Sequence, residues 1–310
     1  MKTIQNLKNI KTTFVKKETT KSTKRFPAQL PAQLTALFFI LLLAFSGAGC
    51  LGQDADDKTL VLSGSTSVLP LAQSLSESYM KNDTEALISV KGGGSGTGIA
   101  ELIDSSNDIA MSSRKIKDTE ASNAESKGIK PIEYEIAKDG IAVIVNPANP
   151  VNNLTLEQIQ KIYSGEIKNW KEVGGEDAQI AVIARDSASG TQEFFTEAVM
   201  GDVSYRSDLI TQSATGAVTQ EVSRNTKAIG FIGAAYQGNS IKTVGIKIGE
   251  TTVMPTEENI LSETYPLSRG LYFYADQDVK QIADDFITFV LSPEGQKIVR
   301  ETGYAPVKNT

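Results

Sequence analysis

The stretch TLVLSGSTSVLPLAQSL, residues 59–75, decides the fold. An aliphatic, β-branched run, Thr59–Leu62, reads as a strand. It meets a turn of small hydroxylated residues, Gly64-Ser65-Thr66-Ser67. A helical pattern follows, with apolar residues at Val68, Leu71, Ala72, Leu75 and Tyr79. The device recurs in LISVKGGGSGTGIAELI, residues 87–103, and again in IAVIARDSASGTQEFFTEAV, residues 180–199. Further candidate strands are Asp108–Met111, Ile141–Val145, Ile229–Ile232 and Leu271–Tyr274. Short strands alternating with helical patterns predict an α/β fold with a largely parallel sheet.

The turns carry the functional signal. The first N–H groups of a helix lack partners inside it, and the helix dipole adds partial positive charge there. Glycine admits a close approach of the backbone, and Ser and Thr supply short donors. In open α/β sheets such turns gather at the carboxyl ends of the strands, where ligands bind. Each turn alone reads as a helix N-cap. Three together, one with Arg185 four residues before Ser189-Gly190-Thr191, predict a shared cradle for a small tetrahedral oxyanion.

Composition narrows the alternatives. The 310 residues include no histidine and one cysteine. This removes Ser-His-Asp and Cys-His nucleophiles, imidazole zinc sites and disulfide frameworks. A P-loop requires a lysine that GGGSGTGIA lacks, and GxGxxG fits it in no register. Ser112 and Lys115 form an SxxK pair without the partner motifs of that enzyme class. Residues 1–49 hold eight basic residues against Glu18 alone, a net charge of +7. The remainder, with 23 basic and 36 acidic residues, carries −13. So acidic a body argues against nucleic acid as a partner, and an anionic ligand needs a local site.

The N-terminus reads as an address. A basic stretch ends at Arg25, an apolar run spans Leu34 to Phe45, and Ser46-Gly47-Ala48-Gly49 precede Cys50. Twelve apolar residues are short for a membrane span. Basic, apolar and small residues in this order form a secretory signal. Small residues directly before Cys50 resemble the lipobox of exported lipoproteins, with Gly47 where leucine is usual. An uncleaved anchor helix is the alternative. Both place the body outside the cytoplasmic membrane. Residues 50–58 read as a lipidated cysteine and polar tether.

LSGSTSVLPLA, VKGGGSGTGI, DIAMSSRKI, NLTLEQIQKIYSGEIKNWKEVGG, RDSASGTQEFF, AIGFIG, YPLSRGLYFY and FVLSPEGQKIVRETGYAPV together resemble the phosphate-binding proteins of bacterial and archaeal ABC phosphate importers. The resemblance covers nearly all of residues 58–310. It implies a two-lobed periplasmic-binding-protein fold, type II-like, each lobe a mixed sheet flanked by helices, joined by two hinge strands. Lobe one would hold residues 59–138 and 267–310, and lobe two residues 139–266. It further implies an exported, lipid-anchored monomer that binds inorganic phosphate, delivers it to membrane permease subunits, uses no cofactor or metal and performs no catalysis.

Carried over position by position, the resemblance puts Thr66, Ser67, Ser95, Thr97, Arg185, Ser189, Gly190 and Thr191 on the phosphate. Where well-known members have an aspartate that accepts the phosphate proton, this chain has Ser113, followed by Arg114 as a second cationic contact. Asp186 is either a substitute acceptor or an orienter of Arg185. The serine keeps sulfate, molybdate and tungstate open as ligands. An enzyme acting on phosphate esters and a surface sensor or adhesin are the other readings. Burying a phosphate costs several kcal/mol in lost hydration. Charge-assisted hydrogen bonds return roughly 1.5–3 kcal/mol each, so an arginine with half a dozen donors suffices if the site is closed over. Thr155-Leu156-Glu157-Gln158 is a capping box, Trp170 a packing anchor, and Tyr272-Phe273-Tyr274 a buried strand.

Overall fold

The computed structural model describes residues 58–307. The basic stretch, the apolar run and Cys50, with the expectations of export and lipidation placed on them, lie outside the described residues. Strand β1 (Thr59–Gly64) ends on a glycine at φ +136°, a conformation closed to other residues, where a Cβ would also strike the Met111 backbone. The chain can therefore turn sharply into α1 (Leu69–Asn82), which opens on Pro70. Strand β2 (Leu87–Gly92) feeds α2 (Ser95–Ile103), and β3 (Ile109–Ser112) leads to α3 (Asp118–Ser126).

Strand β4 (Pro131–Val145) is far longer than the expected Ile141–Val145. Its early part, PIEYEIAKDG, alternates polar and apolar residues and passes from one core to the other. Beyond it come β5 (Asn153–Leu154), α4 (Leu156–Ser164), β6 (Ala181–Arg185), α5 (Gly190–Phe195), β7 (Ile210–Gln212), α6 (Thr215–Arg224) and β8 (Ala228–Gly233). Next are β9 (Lys242–Ile248), β10 (Thr251–Val253) and α7 (Glu257–Leu261). The chain then returns along β11 (Ser268–Asp276) and ends in α8 (Gln281–Val290) and α9 (Pro293–Glu301).

The strand order is β2-β1-β3-β11-β4-β8-β6-β7, with β9 on β4 and β5 and β10 on β9. Half of the strand pairings among the described residues are antiparallel, so the sheet is mixed rather than largely parallel. Four of the five antiparallel pairings involve β4 or β11, which run in opposite directions between the two halves, and the fifth is the β9–β10 hairpin.

Two cores result. The first packs β1, β3 and the outer parts of β4 and β11 against α1, α8 and α9, through Leu60, Leu62, Leu71, Phe273 and Phe286. The second packs Ile141, Val143 and Val145 of β4 against α4, β6, β8 and α5, through Tyr163, Trp170, Phe195 and Phe231. Each fully buried aliphatic or Phe side chain stabilises its core by about 1.5–3 kcal/mol. The scaffold expectations hold: Thr155 and Gln158 close a reciprocal capping box, Trp170 is buried with its indole N–H on the Lys227 carbonyl, and Tyr272, Phe273 and Tyr274 are buried in β11. The chain is thus two α/β lobes joined by a pair of crossing strands. No helix among the described residues is long and apolar enough to cross a membrane.

Candidate functional site

Five strand-to-helix connections meet where the lobes face each other. From the first lobe come the β1–α1 turn, the start of α2 and the residues after β3. From the second come the β6–α5 and β7–α6 turns. Their hydroxyls form two adjoining sets, linked where the Ser67 N–H donates to Ser65 Oγ at 3.2 Å. Ser65 Oγ donates to Ser113 Oγ at 3.0 Å, and Ser113 Oγ lies 3.3 Å from Ser95 Oγ, which also accepts the Ser113 N–H at 3.1 Å. Ser67 Oγ is 2.9 Å from Thr191 Oγ1 and 3.3 Å from Thr215 Oγ1, and Thr215 Oγ1 is 3.1 Å from Thr66 Oγ1. Hydroxyls of both lobes are therefore in direct contact.

Arg185 closes one end. It terminates β6, is 4% exposed, and donates from Nη1 to Thr215 Oγ1 and from Nη2 to Thr66 Oγ1 at 3.1 and 3.2 Å. Its Nε and Nη2 are held by the Gln212 and Ser213 carbonyls. Burial lowers its pKa to about 10, with the Arg269 charge pushing the same way and the Asp186 carboxylate opposing. It stays cationic at neutral pH. Arg269 closes the other end, donating from Nη1 to Thr191 Oγ1 at 2.9 Å and to the Ser113 carbonyl at 3.3 Å. Tyr236 and Tyr304 donate to the Thr66 and Ser67 carbonyls and fix the first turn from behind.

Gly190 sits where this cluster is tightest. A Cβ there would lie 2.8 Å from Ser113 Oγ and closer still to Ser95 Oγ, both on the opposite lobe. Ser189 is buried and caps α5, accepting the Gln192 N–H at 3.3 Å.

Of the ten binding residues expected from sequence, the structure brings Thr66, Ser67, Ser95, Ser113, Arg185, Ser189, Gly190 and Thr191 together. Two are placed elsewhere. Thr97 follows Ser95 by two positions on α2, a spacing that points side chains to opposite faces of a helix, and its hydroxyl bonds the Gly93 carbonyl. Arg114 bonds to no hydroxyl of the cluster, and its carbonyl accepts from Ser112 Oγ at 2.7 Å. Its guanidinium pairs with Glu120 at 2.7 Å and with Glu193, across the lobe boundary, at 2.5 Å. Burial works against its charge, yet the two carboxylates outweigh this and raise its pKa. Lys117 joins the same Glu193 at 2.8 Å. Arg114 is thus part of a clasp beside the cradle. Asp186 lies next to Arg185, and its Oδ1 is buried without a hydrogen-bond partner.

Sequence reasoning missed Ser65, Thr215 and Arg269. Thr215 was findable: Ser213-Ala214-Thr215-Gly216, which leads into α6, is a fourth stretch of the same kind. Arg269 carries no such signal, since its place depends on which strand β11 pairs with. No hydroxyl of the cluster bonds a carboxylate among the described residues. Chemically the site is a nest of neutral hydroxyls and amides between two guanidiniums. It can surround a small anion. Among the described residues no group of acidic or sulfur ligands could hold a metal ion.

Comparison with known proteins places the chain in a family. Residues 52–294 match the family model of the PBP superfamily domain. The chain is 34% identical over 280 residues to a phosphate-binding protein, PstS, of Staphylococcus saprophyticus, covering 86% of this chain and 85% of that protein. The corresponding protein of Staphylococcus epidermidis is 36% identical over 252 residues, 78% of this chain and 76% of its own. Among solved structures, a putative phosphate ABC transporter substrate-binding protein from Clostridium perfringens, with bound phosphate, superposes with a TM-score of 0.75 at 35% identity, covering 81% of this chain and all of that one. An ABC-type phosphate transport receptor from Vibrio cholerae superposes with a TM-score of 0.65 at 35% identity, covering 79% of this chain and 99% of that one.

Proposed function

Since the chain belongs to the PBP superfamily, we propose that it is an extracytoplasmic receptor that binds inorganic phosphate between its lobes and delivers it to an ABC-type importer. The observation that carries this reading is the contact of hydroxyls from both lobes, Ser67 with Thr191 and Thr66 with Thr215, between Arg185 and Arg269. Residues 59–138 with 267–310 act as one lobe and 139–266 as the other, hinged on β4 and β11. The anion binds the closed arrangement better than the open one and thereby shifts the population toward closure. Thr66, Ser67, Ser95, Ser113, Arg185, Ser189, Gly190 and Thr191 line the site, joined by Thr215. Cys50 carries a lipid that tethers a monomeric body to the outer face of the cytoplasmic membrane. The relatives are named for binding and transport, and the chain performs no catalysis.

The all-hydroxyl cluster also supports a second reading, the same receptor binding sulfate, molybdate or tungstate. A serine at position 113 discriminates protonated from unprotonated oxyanions less strictly than a carboxylate. Titration calorimetry with phosphate, sulfate and molybdate separates the two. Phosphate should bind most tightly, and Arg185→Ala should lower its affinity at least about tenfold through loss of charge-assisted bonds. Retention of full phosphate affinity by Arg185→Ala would falsify the site.

A further inference from the structure

Arg269 and Asp139 face each other across the hinge. They are direct register partners in the antiparallel pairing of β11 with β4, at the point where both strands leave one core for the other. Both are almost fully buried, at 6% and 2% exposure. Asp139 Oδ2 accepts Nε and Nη2 of Arg269 at 3.2 and 2.8 Å, and Asp139 Oδ1 accepts the Ala234 N–H at 3.0 Å. The carboxylate lies against Gly233, where a Cβ would come within 2.8 Å of Oδ2. An ion pair in this setting is costly to desolvate, and the strand ladder it crosses does not require it.

We propose that Arg269 is a positioning residue of the anion site, held by Asp139, which orients the Thr191 hydroxyl and couples its placement to lobe closure. The inference rests on the reading of the cleft as an oxyanion site. Two of the five guanidinium N–H groups are fixed by Asp139, and Nη1 reaches outward. It meets the Ser113 carbonyl on the first lobe and Thr191 Oγ1 on the second, so this pair of bonds exists only when the lobes are together. A threonine hydroxyl has one proton and two acceptor sites. With Arg269 on one acceptor site of Thr191, the hydroxyl proton is left to point at the cluster, toward Ser67 or a bound anion. Arg185 does the same to Thr215 and Thr66 at the other end. The two arginines thus turn hydroxyls of either polarity into donors, which is what an unprotonated oxyanion oxygen requires. Arg269 is set back behind Thr191 and acts through it.

The test is a double-mutant cycle read by phosphate calorimetry on the full chain. Arg269→Lys keeps a cation opposite Asp139, which protects the fold, but an ammonium cannot grip the carboxylate with two N–H groups and also reach Thr191. We expect Arg269→Lys to weaken phosphate binding by about tenfold or more, with native circular dichroism and thermal unfolding. In a Thr191→Val background the same change should cost less than about threefold, because its target hydroxyl is gone. In a Thr66→Val background, where Arg269 makes no contact, it should cost its full amount. Unchanged affinity in Arg269→Lys, or equal losses in all three backgrounds, overturns the inference and leaves the phosphate reading intact. If the wild type prefers sulfate or molybdate, the phosphate reading falls and the cycle is decided with that anion. Absence of binding to every tetrahedral oxyanion overturns both.

Discussion

Replacing Gly190 by alanine should hold the lobes apart without harming either. Gly190 is the first residue of α5 and is absent from the positive-φ positions, so alanine meets no backbone strain and is the better helix former. The added methyl, however, would lie 2.8 Å from Ser113 Oγ on the facing lobe. Ordinary contact begins near ~3.5 Å, so the lobes must separate by about 0.7 Å at this point, and more to clear Ser95. The interlobe bonds have little slack. Ser67–Thr191 at 2.9 Å, Thr66–Thr215 at 3.1 Å, Arg185–Thr66 at 3.2 Å and the Gly96 N–H to Ala188 carbonyl at 3.1 Å would all stretch past about 3.5 Å, beyond hydrogen-bonding range. Each is worth at least about 0.5 kcal/mol net, so closure loses at least about 2 kcal/mol, or roughly thirtyfold in phosphate affinity. Calorimetry gives the affinity. Spin-label distances between the lobes in saturating phosphate give the closure, which should remain incomplete. Thermal unfolding without ligand should be unchanged or slightly raised. Wild-type affinity together with a wild-type closed distance in Gly190→Ala would refute the steric argument, and with it the role of this glycine as the point of closest approach.

The other expectations concern charge. Between pH 5 and 8 no hydroxyl, amide or arginine of the site changes charge, so the pH profile of phosphate binding there should follow the ionisation of phosphate itself and vanish for sulfate. Above that window the sign is set by Arg185. Its pKa is lowered to about 10 in the folded chain, so affinity for any oxyanion should fall as pH rises through about 10, readable by calorimetry in a pH series. Glu193→Gln removes the interlobe partner of Arg114 and Lys117. The Glu193 side chain is 30% exposed, so the effect should be modest: about two- to fivefold weaker phosphate binding at low salt. The difference between mutant and wild type should shrink by about 0.5 M salt, and a salt-independent loss would point to packing instead.

Much of this architecture was legible in the chain because it is local. A strand, a hydroxyl turn and a helix start lie within a dozen residues, so the three turns could be found by reading along, while the resemblance to the phosphate-binding family singled out Thr66, Ser67, Ser95, Arg185 and Thr191. The family motifs then fixed the two-lobed fold. What reading along cannot supply is side-chain direction and strand partner. Ser113 and Arg114 are neighbours, yet one enters the cluster and the other leaves it for the carboxylates of Glu120 and Glu193. Thr97 has the right chemistry on the wrong face of α2. Arg269 and Asp139 are 130 positions apart, and only the β4–β11 register brings them together. The long first half of β4 escaped notice for a related reason. Its alternation of Glu133, Glu135 and Lys138 with apolar residues suits a strand that crosses between cores, and it lacks the unbroken apolar run of one buried within a core.

The position of β11 also bears on the order in which the chain can acquire its structure. In the first lobe this strand lies between β3 and β4, although it is the last of the sheet to be synthesised. Until Ser268–Asp276 has emerged, β3 and β4 have no partner on their inner edges, and Leu271, Phe273, Phe286 and Ile287 are missing from the hydrophobic cluster that should cover Leu60 and Leu62. The amino-terminal part is made first but completed last. The first lobe thus closes only when the two ends of the chain meet, and the lock and its key arrive at opposite ends of the same polymer.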